Sequence, residues 1–154
     1  TGGAVLIDGG TLTMNGGTLS YNAVLNNAGA AIRIAHESSS KFTMNSGRIE
    51  NNGVNYNTGA SLFVGRTNEA TLNGGSISNN TNGAGNGGAI MIDGTFTITG
   101  GTISGNSTSV GYGGAIINDG ILNINGGTIS NNSASGDGGA IFNRANLNIS
   151  DGII

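Results

Sequence analysis

The stretch Gly87-Gly88-Ala89-Ile90 decides how this chain is read, because it returns as Gly113-Gly114-Ala115-Ile116 and again as Gly138-Gly139-Ala140-Ile141. Looser copies stand at Gly2-Gly3-Ala4-Val5, Gly29-Ala30-Ala31-Ile32 and Gly59-Ala60-Ser61-Leu62. Successive starts at positions 2, 29, 59, 87, 113 and 138 lie 27, 30, 28, 26 and 25 residues apart. A constant motif at a slightly varying period is the signature of a solenoid, in which loops change length between fixed strands.

Two further segments follow each copy. One alternates apolar and polar residues, as in Phe96-Thr97-Ile98, Leu122-Asn123-Ile124 and Leu147-Asn148-Ile149, which is strand periodicity. The other reads Gly75-Ser76-Ile77-Ser78, Gly101-Thr102-Ile103-Ser104 and Gly127-Thr128-Ile129-Ser130. Runs this short, separated by glycine, asparagine and aspartate, cannot nucleate helices. The expected fold is all-β: a right-handed, single-stranded parallel β-helix of about six coils of 25–30 residues, with three short strands per coil, over a single domain spanning 1–154.

Aligning the coils turns positions into columns. Val5, Ile32, Leu62, Ile90, Ile116 and Ile141 form one. Met14, Met44, Leu72, Ile98, Ile124 and Ile149 form a second, and Leu19, Ile49, Ile77, Ile103, Ile129 and Ile154 a third. A lone coil cannot bury such residues, but stacking at about 4.8 Å per coil covers each with its neighbours. Asn22, Asn52, Asn80, Asn106 and Asn132 stand three residues after the aliphatic residue of the third strand, which predicts a stacked amide ladder.

The motifs resemble the repeats of polymorphic outer-membrane proteins and related adhesin-like β-helix passengers, which carry GGA[ILV] and F-x-x-N in each coil. The first is present as quoted. The second occurs with an aliphatic residue in place of phenylalanine, as Leu19-Ser20-Tyr21-Asn22, Ile77-Ser78-Asn79-Asn80, Ile103-Ser104-Gly105-Asn106 and Ile129-Ser130-Asn131-Asn132. The resemblance spans nearly the whole chain and implies a secreted or cell-surface location with a display or adhesion role.

Composition narrows the alternatives. Only 8% of residues are charged, and the net charge of −3 leaves no basic footprint for nucleic acid. No apolar run is long enough to span a bilayer. The 36% hydrophobic content, regularly spaced, is too ordered for a glycine-rich linker. No cofactor is expected. The motif pattern runs to both ends of the chain without a polar cap, so flanking coils or self-association into an end-to-end filament are the expected partners, beside a host-cell or carbohydrate receptor.

Parallel β-helices also house polysaccharide lyases and hydrolases that work through clustered carboxylates. The best candidates here are Asp93 and Asp119 on adjacent coils, with Asp8 and Arg144 at equivalent positions. Asp8-Gly9, Asp93-Gly94 and Asp119-Gly120 are equally turn signatures, in which Arg144 neutralises Asp119 at the surface. Charge otherwise gathers in coils two and three, at Arg33, His36, Glu37, Lys41, Arg48, Glu50, Arg66 and Glu69. His36 reads as a solvated loop residue in a serine-rich stretch, and Lys41 aligns with Glu69 as an interstrand pair.

Two exterior rows complete the reading. Thr13, Thr43, Thr71 and Thr97 give a threonine file suggestive of ice binding, interrupted in its companion row by Lys41, Glu69, Ile121 and Asn146. Leu6, Phe63, Met91, Ile117 and Phe142, broken by Arg33, form an apolar stripe on the opposite side of the strand from the Ile90 column. That stripe is expected to be an interface covered by a neighbouring molecule or flanking segment. The balance favours a non-catalytic, extracellular structural or adhesin-type module over a carbohydrate-active enzyme or an ice-binding protein.

Overall fold

The computed structural model describes residues 3–25, 27–35, 39–55 and 60–154, and its regular structure consists of parallel strands stacked as a β-solenoid. Gly2, His36, Glu37 and Gly59, named above, lie outside the described residues. Each coil opens with a three-residue strand, from Val5–Ile7 in the first coil through Ile32–Ile34, Leu62–Val64, Ile90–Ile92 and Ile116–Asn118 to Ile141–Asn143 in the sixth. These six pair in sequence order into one sheet.

The second and third strands expected from the sequence belong to one bent sheet. In coils one, two and five they run on as single ten-residue strands, Thr11–Ser20, Lys41–Glu50 and Ile121–Ser130. In coil three they separate into Glu69–Leu72 and Ser76–Ser78, and in coil four into Thr95–Ile98 and Thr102–Ser104. The third sheet is built from a two-residue strand that the sequence reading did not anticipate: Ala23–Val24, Gly53–Val54, Thr81–Asn82, Ser107–Thr108 and Ser133–Ala134. Five such strands pair in order, which makes about five turns.

Register confirms the columns except at Ile154, which follows the last paired residue, Ile153, and is exposed. Val5 pairs Ile32, Ile32 pairs Leu62, Ile90 pairs Leu62 and Ile116, and Ile116 pairs Ile141. Met14, Met44, Leu72, Ile98, Ile124 and Ile149 follow in one file, and Ile49, Ile77, Ile103 and Ile129 in another. Two more inward files complete the core. Ile7, Ile34, Val64 and Ile92 stack two residues along the first strand, and Phe42, Ala70, Phe96 and Leu122 stack in the second sheet. Ala70 sits between two phenylalanines, so a small residue makes room for large ones above and below, as close packing demands.

The GGA motif now has a physical account. Its first glycine takes φ +72° at Gly87 and +69° at Gly113 and Gly138, a left-handed corner that a side chain would strain. A Cβ on its second glycine would lie 2.1 Å from the Gly114 carbonyl oxygen at position 88, and 2.1 Å from the Gly139 oxygen at position 114. The corner therefore seats directly on the next coil. Ala89 and Ala115 are fully buried behind it, and Ile90 and Ile116 begin the apolar file.

The Asp-Gly corners work differently from the expected turn. Gly94 and Gly120 do not adopt the positive φ seen at Gly9 (+75°). What excludes a side chain is contact with the coil below: a Cβ on Gly120 would stand 2.2 Å from the Gly94 carbonyl oxygen.

Candidate functional site

The most ordered polar constellation is the asparagine file. Asn22 Nδ2 donates to Asn52 Oδ1, Asn52 to Asn80, Asn80 to Asn106 and Asn106 to Asn132, each at 3.0 Å. The same Oδ1 atoms also accept the backbone N–H of the preceding rung at 2.9–3.0 Å. The second Nδ2 proton of each rung from Asn52 onward goes to the carbonyl of Leu19, Ile49, Ile77 or Ile103 in the coil before, at 2.9–3.0 Å. Asn52, Asn80 and Asn106 are buried, and these bonds satisfy both ends of each amide. Among the described residues no buried side-chain nitrogen or oxygen lacks a partner.

The corner before this file is left-handed in coils one to five: Tyr21, Asn51, Asn79, Gly105 and Asn131 have φ of +53° to +65°. Glycine and asparagine enter that region at little cost, whereas tyrosine there is strained. A second, exposed ladder that sequence reasoning missed runs along the bend of the second sheet. Asn45 Nδ2 donates to Asn15 Oδ1 (2.7 Å), Asn73 Nδ2 to Asn45 Oδ1 (2.8 Å), and Thr99 Oγ1 to Asn73 Oδ1 (2.7 Å). Its signal was the polar residue before each glycine corner, present at Asn15, Asn45, Asn73, Thr99 and Asn125.

Asp93 and Asp119 follow paired residues, Ile92 and Asn118, so they stand on adjacent coils as expected. The cation beside them is Arg144. Its Nε donates to Asp119 Oδ1 at 2.6 Å, and Nη2 reaches Asp119 Oδ2 to close a bidentate pair. The hydrogen bond to Asp119 raises the Arg144 pKa above its ordinary value, opposed by desolvation and reinforced by the charges of Asp119 and Asp93. Among the described residues no three His, Cys, Asp or Glu side chains converge on a common point that could hold a metal ion.

The remaining charges lie along the outer faces. Lys41 Nζ meets Glu69 Oε2 at 2.9 Å, with both side chains 61% exposed. Strand register sets Arg48 and Glu50 beside Ser76 and Ser78 of the next coil. Arg33 lies over the Phe63 ring, 5.5 Å from its centroid, and donates to Asn27 Oδ1. Thr13, Thr43, Thr71 and Thr97 are in register as read, and Asn123 continues their row.

The outer stripe of the first sheet keeps the expected parity, since none of its members joins the core cluster. Its surface is uneven. Leu6 is 51% exposed, whereas Phe63 and Ile117 are buried within the single chain. The ring of Tyr112, on the loop entering the fifth coil, stacks on Phe142 at 4.7 Å, so this chain's own loops cover part of the stripe. Met91 and Phe142 are half-buried.

No known family model, curated protein or solved structure matches this chain.

Proposed function

We propose that the chain is a non-catalytic, extracellular surface module of adhesin type: a rigid β-solenoid that displays its outer faces to a receptor and continues end to end into further coils or copies. The observation that carries this reading is the disposition of its polar side chains. The buried asparagines, the corner asparagines, Lys41 with Glu69 and Arg144 with Asp119 all join one coil to the next. A scaffold concentrates its polar chemistry on holding itself together, whereas an acid–base centre needs a carboxylate aimed at a substrate.

The likeness of the GGA[ILV] and [IL]-x-x-N motifs to polymorphic outer-membrane protein repeats supports the same reading, as does the low charge. Beads coated with the chain should adhere to cultured cells or extracellular matrix, and the soluble chain should release no reducing or unsaturated ends from a panel of polysaccharides. Cleavage abolished by replacing Asp93 and Asp119 together would overturn the non-catalytic assignment. Light scattering that shows a monomer at every concentration would overturn self-association.

A further inference from the structure

The outer surface of coils three to five carries a regular field of hydroxyls. In the second sheet Ser76 pairs Thr102, which pairs Thr128, and one step along the strands Ser78, Ser104 and Ser130 repeat the file. Ile77, Ile103 and Ile129 between them are buried, so strand alternation turns all six hydroxyls outward. A third file, Thr81, Ser107 and Ser133, lies around the next corner in the third sheet.

None of these nine hydroxyls hydrogen-bonds another described residue, although serines and threonines elsewhere do, such as Thr99 with Asn73. No charged side chain lies within the three files. The field ends at coil two, where Arg48 and Glu50 take the places of Ser76 and Ser78.

Resting on the surface-module reading, we infer that this field is the receptor face and that its ligand is an uncharged linear polysaccharide. Each hydroxyl both donates and accepts, the same dual capacity that every sugar hydroxyl has. Rows spaced about 4.8 Å along the axis present that capacity periodically to a polymer laid across the coils. An anionic chain would meet no cation inside the field, and Arg48 stands only at its edge. A planar crystal such as ice would meet a bent surface, because the left-handed corners at Asn79 and Asn131 separate the third file from the other two.

The test is affinity electrophoresis of the whole chain through gels containing hydroxyethylcellulose, glucomannan or laminarin, with carboxymethylcellulose as the anionic counterpart. At least one neutral polymer should retard it. Replacing Ser78, Ser104 and Ser130 together by alanine should weaken that retardation by about tenfold or more, given the usual worth of three hydrogen bonds. Thr13→Ala with Thr43→Ala and Thr71→Ala, on the neighbouring row, should leave it unchanged. Should the triple variant lose its cooperative thermal transition, the single Ser104→Lys, at a half-exposed position, should still abolish retardation by placing a charge in the field.

Four results would overturn the inference: no retardation by any neutral polymer, retardation indifferent to the serine replacements, retardation by carboxymethylcellulose alone that salt removes, or shaping of ice crystals in place of polymer binding. Bead adhesion to cells in the absence of polymer retardation would sink this inference and leave the surface-module reading intact. Retardation without adhesion would do the reverse.

Discussion

Replacing Asn80 by alanine is the sharpest probe of what holds one coil to the next. The side chain is buried, accepts at Oδ1 from the N–H and Nδ2 of Asn52, and donates through Nδ2 to Asn106 Oδ1 and the Ile49 carbonyl. Alanine removes these four bonds and strands the partners away from water. At about 0.5–1.5 kcal/mol for each bond, the loss is roughly 2–6 kcal/mol, and orphaned buried groups push it toward the upper end. Urea denaturation followed by circular dichroism reads this directly, as a lower midpoint at unchanged slope. Asn80→Asp separates the donor role from the acceptor role. It keeps the oxygen that serves Asn52 but turns a second oxygen toward two acceptors, so the carboxyl is favoured in its protonated form in the folded state. Its destabilisation should therefore grow as pH rises above the ordinary carboxyl range near ~4 and shrink as pH falls through it. A loss below about 1 kcal/mol for Asn80→Ala would mean that the amides merely fill turns. A pH-independent Asn80→Asp would refute the assigned donor directions.

Three further expectations follow from the packing. Tyr21 occupies a left-handed corner at φ +56° and is 82% exposed, so Tyr21→Gly should relieve about 1 kcal/mol of strain and raise the melting temperature. Ala70→Phe would set a third ring between Phe42 and Phe96, and overpacking of about 1–3 kcal/mol or more should appear as a depressed urea midpoint. Arg144 and Asp119 meet at the surface, their side chains 51% and 24% exposed, so a double-mutant cycle should return a coupling of about 1 kcal/mol that fades in salt.

The core was legible because an inward file leaves the same residue class at a fixed offset from a recognisable corner. Ile90, Ile98 and Ile103 each keep their distance from Gly87 or Gly101 while loop lengths vary elsewhere. The third sheet was not legible. Ala23–Val24, Gly53–Val54, Thr81–Asn82, Ser107–Thr108 and Ser133–Ala134 each follow a ladder asparagine directly, but they share no residue class, and two residues are too few to show alternation.

Nor did the first strand's second inward file show itself, because Asn118 breaks the series Ile7, Ile34, Val64 and Ile92. Asn118 is nevertheless buried, since its amide donates to Asn143 Oδ1 at 2.6 Å and to the Asn146 carbonyl at 2.8 Å. The polar surface was partly visible: the asparagine file and the Lys41–Glu69 pair could be read from offsets alone. The serine files escaped notice because attention to Ile77, Ile103 and Ile129 passes over the hydroxyls on either side. The cover over Phe63 and Ile117 depends on loop paths that no local pattern encodes.

The direction of the asparagine ladder has a consequence for how such a molecule changes over generations. Every rung gives its proton forward and receives one from behind, so each junction is chemically the same as the next. A duplicated or deleted whole repeat would heal without a mismatch, while an insertion of a few residues must be absorbed in a loop. Length is thereby free to drift while cross-section is not.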